Sequence, residues 1–184
     1  MLFRSHDGIG IVDVKDLLPD AEIEKVKEQM YSKGANVKMI YSSEAYNNLD
    51  IYQVNTTYYS ALGDNDSAYL LARAIQFFAP GIPQVYYVGM LAGSNDIELM
   101  ERTKNGRDIN RHYYTAEDVE AEQSRPVVRK LKELMELRNS HPAFGLEGSI
   151  SVDTKGDRLF ITRTCGEYSI TLDANLSTYN FEIK

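Results

Sequence analysis

The chain has 184 residues, with Lys+Arg 20 against Asp+Glu 27 and a formal net charge of -7; at roughly 100 to 200 residues per domain that length allows one or two domains. With 43% hydrophobic and 26% charged residues, the composition is that of an ordered globular protein and excludes collagen-like, low-complexity and largely disordered classes. The acidic balance gives a phosphate backbone nothing to approach, and the basic residues Arg125, Arg129, Lys130 and Lys132 sit beside Glu133 and Glu136 on one helical stretch. No nucleic-acid partner is expected.

The single cysteine, Cys165, has no partner for an internal disulfide or a cysteine-based metal site, which favours a reducing compartment. No basic start followed by an apolar stretch opens the chain, and no window approaches the roughly 18 apolar residues of a membrane span. The reading is cytoplasmic, with no membrane partner.

Taken in order, residues 20–34 read as a helix: Asp20 stands at the N-cap, Glu22 and Glu24 lie in the first turn, Ile23, Val26 and Met30 recur at helical spacing, and Gly34 closes it. Residues 35–48 are polar, spotted with aromatics and without a clean period, the mark of a long ordered loop. A second helix runs from about Ser67 to Phe78, capped by Asp66 or Ser67 and stopped by Pro80-Gly81; Leu70, Leu71, Ala74, Ile75 and Phe78 predict deep burial. The run Val85-Tyr86-Tyr87-Val88, between Pro83 and Gly89, predicts a strand buried on both faces of a parallel sheet. After it, residues 89–123 far exceed a plain connection of two to six residues. A third helix starts with Pro126 at N1, continues to Arg138 and ends at His141-Pro142.

From Gly148 the period changes to two: Ile150 and Val152, a turn at Thr154-Lys155-Gly156-Asp157, then Leu159 and Ile161, then Tyr168, Ile170 and Leu172, then Tyr179, Phe181 and Ile183. This predicts a β-meander forming a small antiparallel domain at 145–184, after an α/β part at 1–144. The three histidines His6, His112 and His141 are scattered, no Walker-type loop is present, and neither a metal nor another cofactor is called for.

His6 and Asp7 stand where a strand passes into a glycine-containing loop, the position at which parallel α/β folds display catalytic side chains. Four segments together closely resemble sucrose phosphorylases of the α-amylase superfamily (glycoside hydrolase family 13): His6-Asp7-Gly8-Ile9-Gly10; Asn48-Leu49-Asp50-Ile51-Tyr52-Gln53-Val54-Asn55; Pro80-Gly81-Ile82-Pro83-Gln84-Val85-Tyr86-Tyr87-Val88-Gly89; and Gly106-Arg107-Asp108-Ile109-Asn110-Arg111-His112-Tyr113-Tyr114. The resemblance implies the C-terminal portion of a (β/α)8 TIM barrel, from the end of strand 7 through helix 8, followed by the small β domain. It implies an enzyme that moves glucose from sucrose to a carboxylate, releases fructose, and passes the glucose to phosphate as glucose 1-phosphate with retention, in two displacements.

By the same resemblance Asp7 is the carboxylate that stabilises the oxocarbenium-like transition state, His6 contacts the glucosyl ring, and Arg107 binds at the glucosyl subsite. Asp50, Tyr52 and Gln53 belong to the acceptor loop that handles fructose and then phosphate. The family's aspartate nucleophile and glutamate acid/base are not in the chain, so it is expected to be inactive alone and to need the N-terminal barrel segment or a homo-oligomeric partner. A hydrolase, a transglucosidase or a sucrose 6′-phosphate phosphorylase of the same superfamily are alternatives, as is a non-catalytic sugar-binding module. His112, with Tyr113 and Tyr114, reads as packing around Arg107.

Overall fold

The computed structural model of the chain describes residues 9–10, 14, 17–35 and 53–184. The chain divides into two compact units, one drawing on the described residues of Met1–Asn65 with Gln84–Gln123, the other on Asp66–Pro83 with Ser124–Lys184.

In the first unit a two-residue strand β1, Ile9–Gly10, pairs antiparallel with β2, Gln53–Val54. Helix α1, Asp20–Ser32, starts one residue before the sequence cap: Pro19 takes the cap position, without a side-chain hydrogen bond, and Asp20 and Glu22 complement the positive helix end from the first turn. Gly34, at φ +81°, closes the helix as its glycine predicts, with its N–H on the Tyr31 carbonyl and that of Ala35 on the Met30 carbonyl. Met30, Ala35 and Val54 then form a small core that Ile9 and Tyr31 flank. A single helical turn follows, α2, Tyr58–Ala61, capped by the Thr57 hydroxyl accepting from Ser60 N–H.

The predicted strand at Val85–Val88 does not form. Residues 82–86 pair with no strand, and Tyr87–Met90 make one helical turn, α4, which comes after helix α3 (Asp66–Phe78) in the chain. Aromatic and β-branched residues fit a pleated, half-buried surface rather than imposing an extended backbone. Among the described residues no strand lies alongside to supply that surface, and Ile82 is 82% exposed. Both sheets present are antiparallel, so the described fold is helices with antiparallel sheet rather than the parallel α/β order expected from the sequence. The long passage after Gly89 is structured: α5 Ile97–Thr103, a 3₁₀ turn Gly106–Asn110, and α6 Ala116–Gln123.

In the second unit, α3 (Asp66–Phe78) packs against α7 (Pro126–Ser140), which carries Pro126 in its first turn as the sequence predicts. Helix α3 is buried around most of its girth, including Arg73, whose guanidinium donates to the Tyr69 hydroxyl at 3.0 Å and to Gln76 Oε1 at 2.7 Å. A 3₁₀ turn, Pro142–Phe144, leads into the meander: β3 Ser149–Lys155, β4 Arg158–Cys165, β5 Tyr168–Asn175 and β6 Phe181–Ile183, in spatial order β3-β4-β5-β6.

Register pairs Lys155 with Arg158 and Cys165 with Tyr168. The hairpins are therefore two-residue loops, Gly156-Asp157 and Gly166-Glu167, with positive φ at the glycine alone, the II′ pattern. Alternation puts Ile161, Arg163, Ile170, Leu172 and Ala174 on the buried face. On the same face of edge strand β3, Ile150 and Val152 remain exposed.

Asp173, 7% exposed, accepts from Arg158 through Nε at 3.0 Å and through a second guanidinium nitrogen, and from Lys184 Nζ at 2.9 Å. These donors, the Arg158 hydrogen bonds first, hold its carboxyl below the ordinary range. A depressed folded pKa gives stability that is complete above the unfolded value of about 4 and is lost as pH falls through the depressed one. Thermal melts from pH 6 to pH 2 should show Asp173→Asn less stable at neutrality and flatter below about pH 4 than the parent. Equal slopes would remove Asp173 as a source of acid sensitivity.

Candidate functional site

Arg107 is half-buried in the Gly106–Asn110 turn. Asn105 opens that turn twice, its Oδ1 accepting from Arg107 N–H at 3.2 Å and its Nδ2 donating to Asp108 Oδ1 at 3.1 Å. Ile109 and Asn110 are buried beneath it, so the loop around Arg107 is a fixed platform. Asp96 grips the platform from outside. Its N–H donates to the Ile109 carbonyl at 2.7 Å, its Oδ1 caps α5 by accepting from Leu99 N–H at 2.7 Å, and its Oδ2 lies 2.5 Å from His112 Nδ1. His112, expected as packing around Arg107, is thus tied to a carboxylate. Its carbonyl also accepts from the Tyr87 hydroxyl at 2.8 Å.

Behind these bonds Tyr87, Met90, Leu91, His112, Tyr113, Tyr114 and Val119 line a hollow of about 410 Å³. Tyr114 meets Tyr87 and His112 edge-on, at centroid separations of 6.2 and 4.6 Å, the geometry favoured by aromatic quadrupoles. Burial foremost, and then the Tyr86 hydrogen bond, push the Tyr87 phenol above its ordinary value, so it stays protonated and a donor. The ring cluster demands a glycine: a Cβ on Gly93 would stand 2.3 Å from the Tyr114 oxygen and 2.8 Å from Val88 Cγ1.

Asn95, next to Asp96, reaches the opposite way. Its Oδ1 accepts from Thr57 N–H at 2.6 Å and from the Thr56 hydroxyl at 3.2 Å, its Nδ2 donates to the Gly34 carbonyl at 3.0 Å, and its own N–H donates to the Ser60 hydroxyl at 3.0 Å. Asp64 reinforces the joint by accepting from the Ser60 hydroxyl at 2.8 Å and the Ser94 hydroxyl at 2.9 Å. Two adjacent residues therefore connect the stretch that leaves β2 to the turn that carries Arg107.

Of the residues singled out in the sequence, Arg107 lies on this platform, and Gln53 is placed through its backbone in β2. His6, Asp7, Asp50 and Tyr52 lie outside the described residues. Sequence reasoning missed Asn95, Asp96, Thr56 and Thr57. An aspartate directly before Ile97-Glu98-Leu99 does signal a helix cap, but nothing local marks Asn95. Among the described residues no group of three or more His, Cys, Asp or Glu side chains is placed to hold a metal ion, and no helix is long and apolar enough to cross a membrane.

No family model matches the chain. Sucrose phosphorylase of Streptococcus mutans is 59% identical over 157 residues, which is 85% of this chain and 33% of that protein. Sucrose phosphorylase of Bifidobacterium adolescentis is 46% identical over 162 residues, covering 83% of this chain and 32% of the relative. The chain belongs to the sucrose phosphorylase family. It spans about a third of the length of these relatives and matches their C-terminal portion. The crystal structure of sucrose 6F-phosphate phosphorylase from Thermoanaerobacter thermosaccharolyticum superposes with a TM-score of 0.86 at 41% identity, over 97% of this chain and 37% of that one. The family is one of glycosyl-transferring enzymes, and the four motifs read from the sequence as those of sucrose phosphorylases fall in a chain with that kinship.

Removing the Asn95 side chain strands the buried Thr57 N–H, at a cost on the order of 2–3 kcal/mol. Asn95→Ala should lower the unfolding free energy by about that amount in urea titration, and hydrogen exchange should quicken at Thr57 and Ser60. A loss below about 0.5 kcal/mol would show that the joint is carried by other contacts.

Proposed function

We propose that the chain is the C-terminal portion of a retaining sucrose phosphorylase, residues 1–144 forming the last part of a (β/α)8 barrel and residues 145–184 the β module that follows it. What carries this reading is the 59% identity to the Streptococcus mutans sucrose phosphorylase across 85% of the chain. The Asn95-Asp96 joint supports it, because an acceptor loop and a sugar-binding arginine have to be held in fixed relation for a two-step transfer.

In this reading Asp7 lies beneath the glucosyl ring. A preorganised carboxylate gains interaction as positive charge grows at the anomeric carbon, so it lowers the barrier of both displacements. His6 and Arg107 hold the ring hydroxyls, the planar guanidinium binding two at once. Sucrose enters and fructose leaves past Asp50, Tyr52 and Gln53; phosphate then takes the fructose position and leaves as glucose 1-phosphate. Asp50 suits fructose hydroxyls and repels phosphate, so the loop turns Asp50 away and offers Tyr52 in the second step. The covalent step and leaving-group protonation need a nucleophile and an acid/base that the family motifs do not place in these 184 residues, so they come from the N-terminal barrel segment. Sucrose 6F-phosphate is the second reading for the substrate, favoured by the 41% identity to that phosphorylase over 97% of the chain.

The test is a graft in which this chain replaces the matching third of the Streptococcus mutans enzyme. Phosphate-dependent release of glucose 1-phosphate from sucrose is expected, together with its loss by at least about 1000-fold in the Asp7→Asn graft. An active graft indifferent to Asp7→Asn would overturn the role given to that residue, and turnover by the 184-residue chain alone would overturn the division of labour. In the same graft Tyr52→Phe should raise the KM for phosphate more than the inhibition constant for fructose, and Asp50→Ala the reverse; identical changes would end the idea of separate roles.

A further inference from the structure

The turn that carries Arg107 is fastened in two ways, and they fix different things. Asn105 bonds the Arg107 N–H at 3.2 Å and Asp108 Oδ1 at 3.1 Å, across two and three residues, so it sets the shape of the turn. The place of the turn against helix α5 is set from Asp96, whose N–H donates to the Ile109 carbonyl at 2.7 Å. One such bond leaves the turn free to swivel about it. A second bond, 16 residues from Asp96 in the chain, removes that freedom: His112 Nδ1 lies 2.5 Å from Asp96 Oδ2. A carboxylate only accepts, so Nδ1 carries the proton and the bond is charge-assisted.

Both partners are steadied from behind. Asp96 Oδ1 accepts from Leu99 N–H at 2.7 Å, which fixes the rotation of a carboxylate whose side chain is 17% exposed. The His112 ring meets Tyr114 edge-on at 4.6 Å, and its carbonyl accepts from the Tyr87 hydroxyl at 2.8 Å. A side chain that only filled the hollow would be buried. That of His112 is 42% exposed, and what distinguishes it is the carboxylate it holds.

We infer that His112 is a positioning residue for Arg107: through Asp96 it fixes the orientation of the Gly106–Asn110 turn and so the direction in which the guanidinium presents its donors. The inference rests on the glucosyl-binding role proposed for Arg107 and adds to it a residue that acts through the backbone. A planar fork binds two hydroxyls only when it is aimed at both. Misplacing such a group by about 1 Å costs up to about 100-fold in rate.

The experiment is a double-mutant cycle on kcat/KM for sucrose in the graft with the Streptococcus mutans enzyme, using Arg107→Ala, His112→Ala and the pair, each assayed below its melting midpoint. Expected are a fall of about 10- to 100-fold for His112→Ala and no further fall when it is added to Arg107→Ala, because nothing is then left to position. His112→Asn, whose amide nitrogen can take the place of Nδ1, should recover most of what His112→Ala loses. Losses that multiply in the double variant, as a general weakening of the fold produces, would overturn the inference and leave the role of Arg107 standing. Arg107→Ala without effect would remove that role and the inference with it. In the 184-residue chain itself, Asp96→Asn keeps an oxygen for Leu99 N–H but turns an amide donor towards His112 Nδ1. Hydrogen exchange should then quicken at Arg107, Asp108 and Arg111 and stay as it was in the β3–β6 sheet. Unchanged exchange in the turn would overturn the inference whether or not the graft is active.

Discussion

The first unit depends on one dipeptide. Asn95 and Asp96 reach in opposite directions along the chain, the Asn95 side chain to Gly34 and to the Thr56-Thr57 stretch, Asp96 through its backbone N–H to the Ile109 carbonyl and through its carboxylate to His112. Each bond closes a loop of between 13 and 61 residues. Loop closure is costly in chain entropy and grows only slowly with length, so concentrating several closures in adjacent residues fixes much irregular chain with few contacts. The described irregular passages of this unit therefore keep definite positions with no strand ladder beyond the two-residue β1–β2 pair. The sugar-binding role proposed for Arg107 calls for such fixity, because misplacing a binding group by even 1 Å costs a transfer reaction heavily.

Periodicity and local chemistry made the second unit legible. Alternation of apolar residues from Ile150 to Ile183 determines the sheet because each strand finds its partner through a turn of two residues, and Gly156 and Gly166 are the residues such turns need. The helices ending near Phe78 and starting at Pro126 were equally plain, since their apolar stripes and breakers act within one element. Val85-Tyr86-Tyr87-Val88 failed for the complementary reason. A strand is a relation between two segments, and the sequence of one segment carries no information on whether the other is there. The joint at Asn95 was illegible on the same ground: an asparagine in a polar loop has no local signature, and its role comes from a carbonyl 61 residues away. Arg107 could be named from its motif, yet the motif says nothing of the Asn105 and Asp96 bonds that hold it.

Kinship and geometry carry different parts of the functional reading. The identity to longer sucrose phosphorylases assigns the family, whereas the platform around Arg107 explains why the motif is stretched over residues 106–114: the arginine, the turn that holds it and the His112 anchor are one mechanical piece. The aromatic hollow behind it belongs to the same piece. Gly93 is fixed by Tyr114, Tyr114 packs on Tyr87 and His112, and Tyr87 returns a hydrogen bond to the His112 carbonyl, so a disturbance at one ring passes to the anchor of the platform.

The arginines of the second unit find their partners by different routes. Arg73 is fully buried in α3 and donates to Tyr69 and Gln76, one helical turn away on the same face. Arg158 bonds Asp173 on the neighbouring strand, and Lys184 joins Asp173 to Glu182, so the two cations and two carboxylates of the network cancel. Arg138 has the Gly81 and Phe144 carbonyls and the Phe144 ring, and a carbonyl dipole offsets a full charge only in part. For Asp173 the sheet supplies what a weak surface pair lacks, burial and fixed geometry, and it is in those conditions that a charge-assisted bond contributes most.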